Sequence, residues 1–212
     1  MPTKTFFRLD QEKQDKIVAA AKKEFSDASF HEAAISNIVK ESGISRGSFY
    51  QYFTDKEDLF YYCLDLIKEE SEMYYLKLLE MNQRDFFATN IAFFNYLSEV
   101  VLTGNQADLY KNIFLYMNYK SSHKIFDNHQ QSYHKKKLSY ETLFASINSD
   151  QLTIDTVTDF ELLFKVIVSM IFMSINDAYR QKSCDTTFDI KKIQAQFAKK
   201  MTWIQLGIVE RN

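Results

Sequence analysis

Apolar residues recur at spacings of three and four along almost the whole chain, which is the periodicity of helices. Between Gln11 and Ser26, Ile17, Ala20, Ala21 and Phe25 share one face while Lys16, Lys22 and Lys23 lie on the other. Ile35, Ile38 and Val39 mark a short second helix, and Phe49, Tyr52 and Phe53 a third. A fourth is expected from Asp55 to about Met81 through Leu59, Leu66, Ile67 and Leu78, with Thr54 as N-cap and Glu57 at the third helical position. Further helices are expected over Asp85–Leu102, ended by Gly104, over Ala107–Tyr119, and from His123 to Ile147. After the polar stretch 148–154, Asp155 is the expected N-cap of a helix to Tyr179; after 183–187 a last helix covers Phe188–Leu206. The pattern therefore predicts an all-α chain of about nine helices.

The stretch between the second and third helices is the most specific. Gly43 follows Ser42 where a helix end calls for a left-handed residue, and Ile44 is an apolar plug inside the turn. Ser45 supplies an N-cap oxygen, and Arg46-Gly47-Ser48 form the next first turn. This is a helix-turn-helix. It turns Arg46, Ser48 and Gln51 outward, where a recognition helix meets base edges.

The run Ile38–Leu59 resembles the DNA-binding head of TetR/AcrR-type transcriptional regulators. Gly43, Ser45, Arg46-Gly47-Ser48, Tyr50, Tyr52-Phe53, Lys56 and Leu59 match that family's pattern position by position. Two positions depart from it: Ala34 stands where the family has a Thr or Ser cap, and Val39 where it has a small Ala. The resemblance implies a head over residues 1–56 and a ligand-binding and dimerisation domain over 57–212. On this reading Ser45, Tyr50, Tyr52 and Lys56 hold phosphates, and Arg46, Gly47, Ser48 and Gln51 approach bases. Gly47 costs helix propensity, and its missing side chain permits close approach to a duplex. The partner would be a double-stranded operator, bound by a cytoplasmic protein.

Composition fits this picture and sharpens it. Pro2 is the one proline, and the glycines are four, too few breakers for a strand-rich chain of 212 residues. Cys63 and Cys184 lie far apart, with neither zinc nor disulfide spacing. No run reaches the ~18 uncharged apolar residues of a membrane span. Net charge is −2, yet residues 1–56 hold nine Lys or Arg against eight Asp or Glu, and the rest 17 against 20. Electrostatics alone would give only weak duplex affinity, so the placement of each cation matters more than the total. Met1–Arg8 reads as a short polar arm that frays, although such arms can enter a minor groove. Lys22-Lys23 and the His134–Lys137 cluster read as solvated faces.

The second domain is rich in aromatic residues, most of them core. Tyr110, Phe114 and Met117 share a helix face, as do His129 and Tyr133. Converging with Leu66, Phe94 and Phe164, they would enclose a small apolar effector. The alternative is a protein partner for this domain. Phe160, Leu163, Phe164, Ile167, Met170, Ile171 and Ile175 cover more than one face of their helix, and Ile193, Phe197, Met201 and Trp203 extend the surface. Two such helices predict a homodimer through a four-helix interface. No His-Glu-x-x-His, phosphate loop or Gly-x-Ser-x-Gly elbow occurs, so no catalytic residue, metal or cofactor is expected.

Overall fold

The computed structural model describes residues 1–116, 138–148, 152–184 and 188–207. Among them are nine α-helices, one short 3-10 helix (Phe6–Arg8) and no strand. The α-helices are α1 (Gln11–Asp27), α2 (Ile35–Ser42), α3 (Arg46–Tyr52), α4 (Lys56–Met81), α5 (Phe86–Thr103), α6 (Ala107–Tyr116), α7 (Tyr140–Ser146), α8 (Val157–Cys184) and α9 (Ile190–Leu206). The all-α expectation holds. No described helix is long and apolar enough to cross a membrane.

Several boundaries move for local reasons. α4 starts one residue late because the cap is Asp55, whose carboxylate accepts the Asp58 N–H at 2.8 Å, while Asp58 accepts the Thr54 N–H at 3.0 Å. Asp55 and Asp58 thus replace the expected Thr54 and Glu57. α8 is capped by Thr156, not Asp155, and runs five residues past Tyr179 to Cys184. The helix expected from His123 to Ile147 is interrupted, since Ser139 is extended and caps α7 through the Thr142 N–H at 3.2 Å. The earlier part of that helix lies outside the described residues.

The described chain forms two compact units. The first contains Met1–Ser71 and α6, so α1–α3 share their core with the first half of α4 and with a helix that follows more than fifty residues after α3. Phe6, Phe25, Phe49, Phe53, Leu59 and Phe60 are fully buried there with Leu109 of α6. Cys63 lies in the same core, where burial pushes its thiol up to about 12. The second unit contains the end of α4 with α5, α7, α8 and α9. Phe94 of α5 stacks on Phe197 of α9 with ring centroids 3.9 Å apart, and Gln194 donates to Ser98 Oγ at 3.0 Å. Tyr179 Oη and Lys182 Nζ of α8 donate to the Val101 and Leu102 carbonyls, closing the C-terminal end of α5 with a cation where the helix dipole is negative.

The arm Met1–Arg8 is not frayed. Phe6 is fully buried, its ring 4.9 Å from Phe53 and 5.3 Å from Tyr62. Thr3 donates from its N–H to the Tyr52 carbonyl at 2.8 Å and from Oγ1 to the Gln51 carbonyl at 2.6 Å. These are orphan acceptors at the C-terminal end of α3, so the arm serves as that helix's C-terminal cap.

Candidate nucleic-acid interface

Each end of the two turn helices is fixed by a named partner. The N-cap position of α2 is Ala34, which has no side-chain oxygen, and Glu24 of α1 reaches it. Its carboxylate accepts the Ala34 N–H at 2.7 Å and Asn37 Nδ2 at 3.0 Å, placing a negative charge at a helix N-terminus. Another helix thus anchors the start of α2 where the Thr or Ser cap is missing. Gly43 adopts φ 72°, and the Ile44 N–H returns to the Val39 carbonyl at 3.1 Å, a left-handed stop that only glycine takes without strain. α3 then opens with Ser45 Oγ accepting the Ser48 N–H at 3.0 Å.

This geometry sorts the expected site residues. Phe49 faces the core, while Ser45, Arg46, Gly47, Tyr50 and Gln51 are exposed on α3 and its cap. The Arg46 guanidinium sits 6.0 Å from the Tyr50 ring centroid, one turn away on the same face. Ser48 is half-buried, with its hydroxyl 2.8 Å from that of Ser45. Tyr52 is half-buried against Phe6, so its ring belongs more to the core than to the outward face.

Lys56 departs furthest from expectation. Its ammonium donates to the Phe30, Ala33 and His31 carbonyls at 2.5, 2.6 and 3.3 Å and lies 4.8 Å from the Phe30 ring centroid. The side chain expected to grip a phosphate here pins the loop between α1 and α2. Three hydrogen bonds exhaust the donors of an ammonium.

The other side of that loop is gripped by a residue that sequence reasoning missed. Asn112 of α6 donates through Nδ2 to the carbonyls of Phe25, Ser26 and Ala28, at 3.0, 2.9 and 3.2 Å, at the C-terminal end of α1. Nothing in the spacing of α6 signals this contact. Of the cations expected on a solvated face, Lys23 pairs with Glu41 at 2.8 Å and Lys22 with Glu70 at 3.7 Å. The Lys23 hydrogen bond holds the Glu41 carboxyl below its ordinary range.

The expected effector residues divide between the units. Leu66, Tyr110 and Phe114 are half-buried in the first. Phe94 and Phe164 belong to the second, where Phe94 is fully buried in its stack with Phe197 and so is committed to packing. Phe164 lies half-buried among the rings of Tyr75, Phe86, Tyr140 and Phe160. Met117, His129 and Tyr133 lie outside the described residues. Among the described residues no three His, Cys, Asp or Glu side chains are grouped to hold a metal ion.

Comparisons with known proteins agree with this geometry. Residues 17–63 match the model of bacterial regulatory proteins of the tetR family, and residues 85–208 match the tetracyclin repressor-like C-terminal domain. An uncharacterized HTH-type transcriptional regulator, YdgC of Bacillus subtilis (strain 168), is 45% identical over 49 residues, 23% of this chain and 25% of that protein. The HTH-type transcriptional regulator HbdR of Aromatoleum sp. (strain CIB) is 34% identical over 65 residues, 31% of this chain and 28% of that protein. These matches span about a quarter of the length of each relative. A crystal structure of a TetR family transcriptional regulator from Chloroflexus aurantiacus J-10-fl aligns over 100% of both chains, with 18% identity and a TM-score of 0.46. Two family models in the expected order, one of them covering more than half of the chain, place this protein in the TetR family of helix-turn-helix transcriptional regulators.

Proposed function

We propose that the protein is a homodimeric repressor that binds a palindromic operator through α3 and is released from it by a small apolar effector. The observation that carries the DNA-binding face is Gly47. It is the second residue of a seven-residue helix, where glycine lowers helix propensity by up to about 1 kcal/mol relative to alanine. A Cβ there would meet only Ser45 Oγ at 3.7 Å, an ordinary contact. Among the described residues nothing requires this glycine, and a duplex brought close to the backbone would supply the reason. In Gly47→Ala, thermal unfolding is expected to show a gain of about 0.5–1 kcal/mol. Binding to duplexes selected from a random pool is expected to weaken despite that gain. Undiminished binding by the stabilised variant would remove the reason for the glycine and this reading of the face.

The dimer rests on apolar side chains left exposed by α8 and α9. Leu162, Val166 and Met173 follow one another at intervals of four and seven residues along α8, and Trp203 and Leu206 lie exposed near the end of α9. A stripe of this kind on two adjoining helices suits an isologous interface. The expected result is a dimer by sedimentation at micromolar concentration, one per palindrome with half-sites a DNA turn, ~34 Å, apart. A monomer that still binds a palindrome tightly would overturn it.

Effector release follows from α6. An apolar ligand against Leu66, Tyr110 and Phe114 would press on the helix whose Asn112 holds the end of α1. A shift there alters the placement of α2 and α3. Reciprocity then requires effector and operator to weaken each other by the same factor.

A further inference from the structure

The head carries a formal charge of only +1, but its cations are not equivalent. Lys13 pairs with Asp10 at 3.0 Å and Lys16 with Glu12 at 2.7 Å. With Lys22 and Lys23 on Glu70 and Glu41, and Lys56 on three carbonyls, five of the nine cations of residues 1–56 are engaged within the protein. Lys4, Arg8, Lys40 and Arg46 remain exposed without a carboxylate partner among the described residues. Pairing leaves the net charge of the head at +1, but it separates four cations that no carboxylate holds from five that are engaged, so position decides which of them a phosphate can meet.

Lys4 stands out among these by its placement. It follows Thr3, whose two hydrogen bonds tie the arm to the Gln51 and Tyr52 carbonyls at the C-terminal end of α3. Consecutive Cα atoms lie ~3.8 Å apart, so Lys4 is fixed beside that end. A helix C-terminus carries partial negative charge and repels phosphate. At the end of a recognition helix this is a defect, because a helix seven residues long, ~10 Å, lies between the two phosphate backbones that border a major groove. Thr3 satisfies the orphan carbonyls, and the next residue, Lys4, is an exposed cation beside them.

We propose that Lys4, anchored through Thr3, is a sequence-independent phosphate contact lying outside the helix-turn-helix and serving the C-terminal end of the recognition helix. The inference rests on the DNA-binding reading of α3 given above. It makes the arm a working part of the interface and adds a contact that reads no base.

Because phosphate contacts are made on any sequence, the test needs no operator. The full chain is titrated onto a labelled mixed-sequence duplex by fluorescence anisotropy, at salt concentrations from ~50 to ~200 mM. Lys4→Gln is expected to flatten the slope of log K against log salt by ~0.9 per head and to weaken binding at least ~3-fold at the lowest salt. Lys16→Gln, which removes an equal charge already paired with Glu12, is expected to keep the wild-type slope. Thr3→Val keeps Lys4 but loses one anchor, and is expected to shift binding toward that of Lys4→Gln with an unchanged helical circular dichroism spectrum. A wild-type slope in Lys4→Gln, an equal loss in Lys16→Gln, or wild-type binding by Thr3→Val would overturn the proposal. Absence of salt-dependent duplex binding by the wild-type chain would instead overturn the DNA-binding reading beneath it.

Discussion

Phe6→Ala is expected to destabilise the first unit by about 3–5 kcal/mol, the range for truncating a buried phenylalanine. Phe6 has no exposed surface and touches the rings of Phe53 and Tyr62, which belong to different elements, so the cavity would open where α3 and α4 are joined. In a chain of this size each kcal/mol lowers the melting temperature by about 2–4 °C, so a shift on the order of ten degrees is expected by circular dichroism. Hydrogen exchange should locate the damage, because the same arm caps α3 through Thr3 and loses its anchor with Phe6. A melting curve indistinguishable from wild type would mean that the arm is dispensable, and with it the Thr3 cap.

Lys56→Met tests a different idea with an effect nearly as large. Methionine keeps the aliphatic stem and removes the ammonium, leaving the Phe30, Ala33 and His31 carbonyls without their donor. Hydrogen bonds from a charged group are worth about 1.5–3 kcal/mol, and the loop that places α2 would loosen. Affinity for every duplex is expected to fall by a similar factor, as a phosphate contact would also predict. The salt dependence separates the two. A lost phosphate contact flattens the slope by ~0.9 per head, whereas a lost internal clamp leaves the slope unchanged and lowers the melting temperature. A flattened slope with unaltered stability would restore Lys56 to the interface.

These two residues show where sequence reading succeeds and where it stops. The corner at Gly43, the cap at Ser45 and the buried Phe49 were legible because each depends on neighbours within a few residues, and local propensity and tertiary context agree there. The same locality made the helices of α1 to α6 readable to within a few residues. The burial of Phe6 is not legible from periodicity, because the short arm Met1–Arg8 has none, although the Phe6-Phe7 pair is a signal. Lys56 is legible as the opening residue of α4, but its internal partners are not: they lie 23 to 26 residues away, beyond any helical spacing. Glu24 and Asn112 act over still less predictable separations, ten and more than eighty residues. Helix ends satisfied by remote side chains leave no mark on the local pattern.

The grip of Asn112 on α1 bears on how such regulators can be recombined. A hybrid built by joining residues 1–56 to a foreign C-terminal domain would carry α1 with the carbonyls of Phe25, Ser26 and Ala28 stripped of their donor, and with Leu109 gone from the core. Extending the graft to Ser71 would not mend it, because the missing piece begins only at Asn105. The compact unit is discontinuous in sequence: a new C-terminal domain must either bring a helix with an amide at the position of Asn112 or receive α6 from the donor. Chimeras cut at the linear boundary should melt below the parent protein, and carrying α6 over with residues 1–71 should recover the loss.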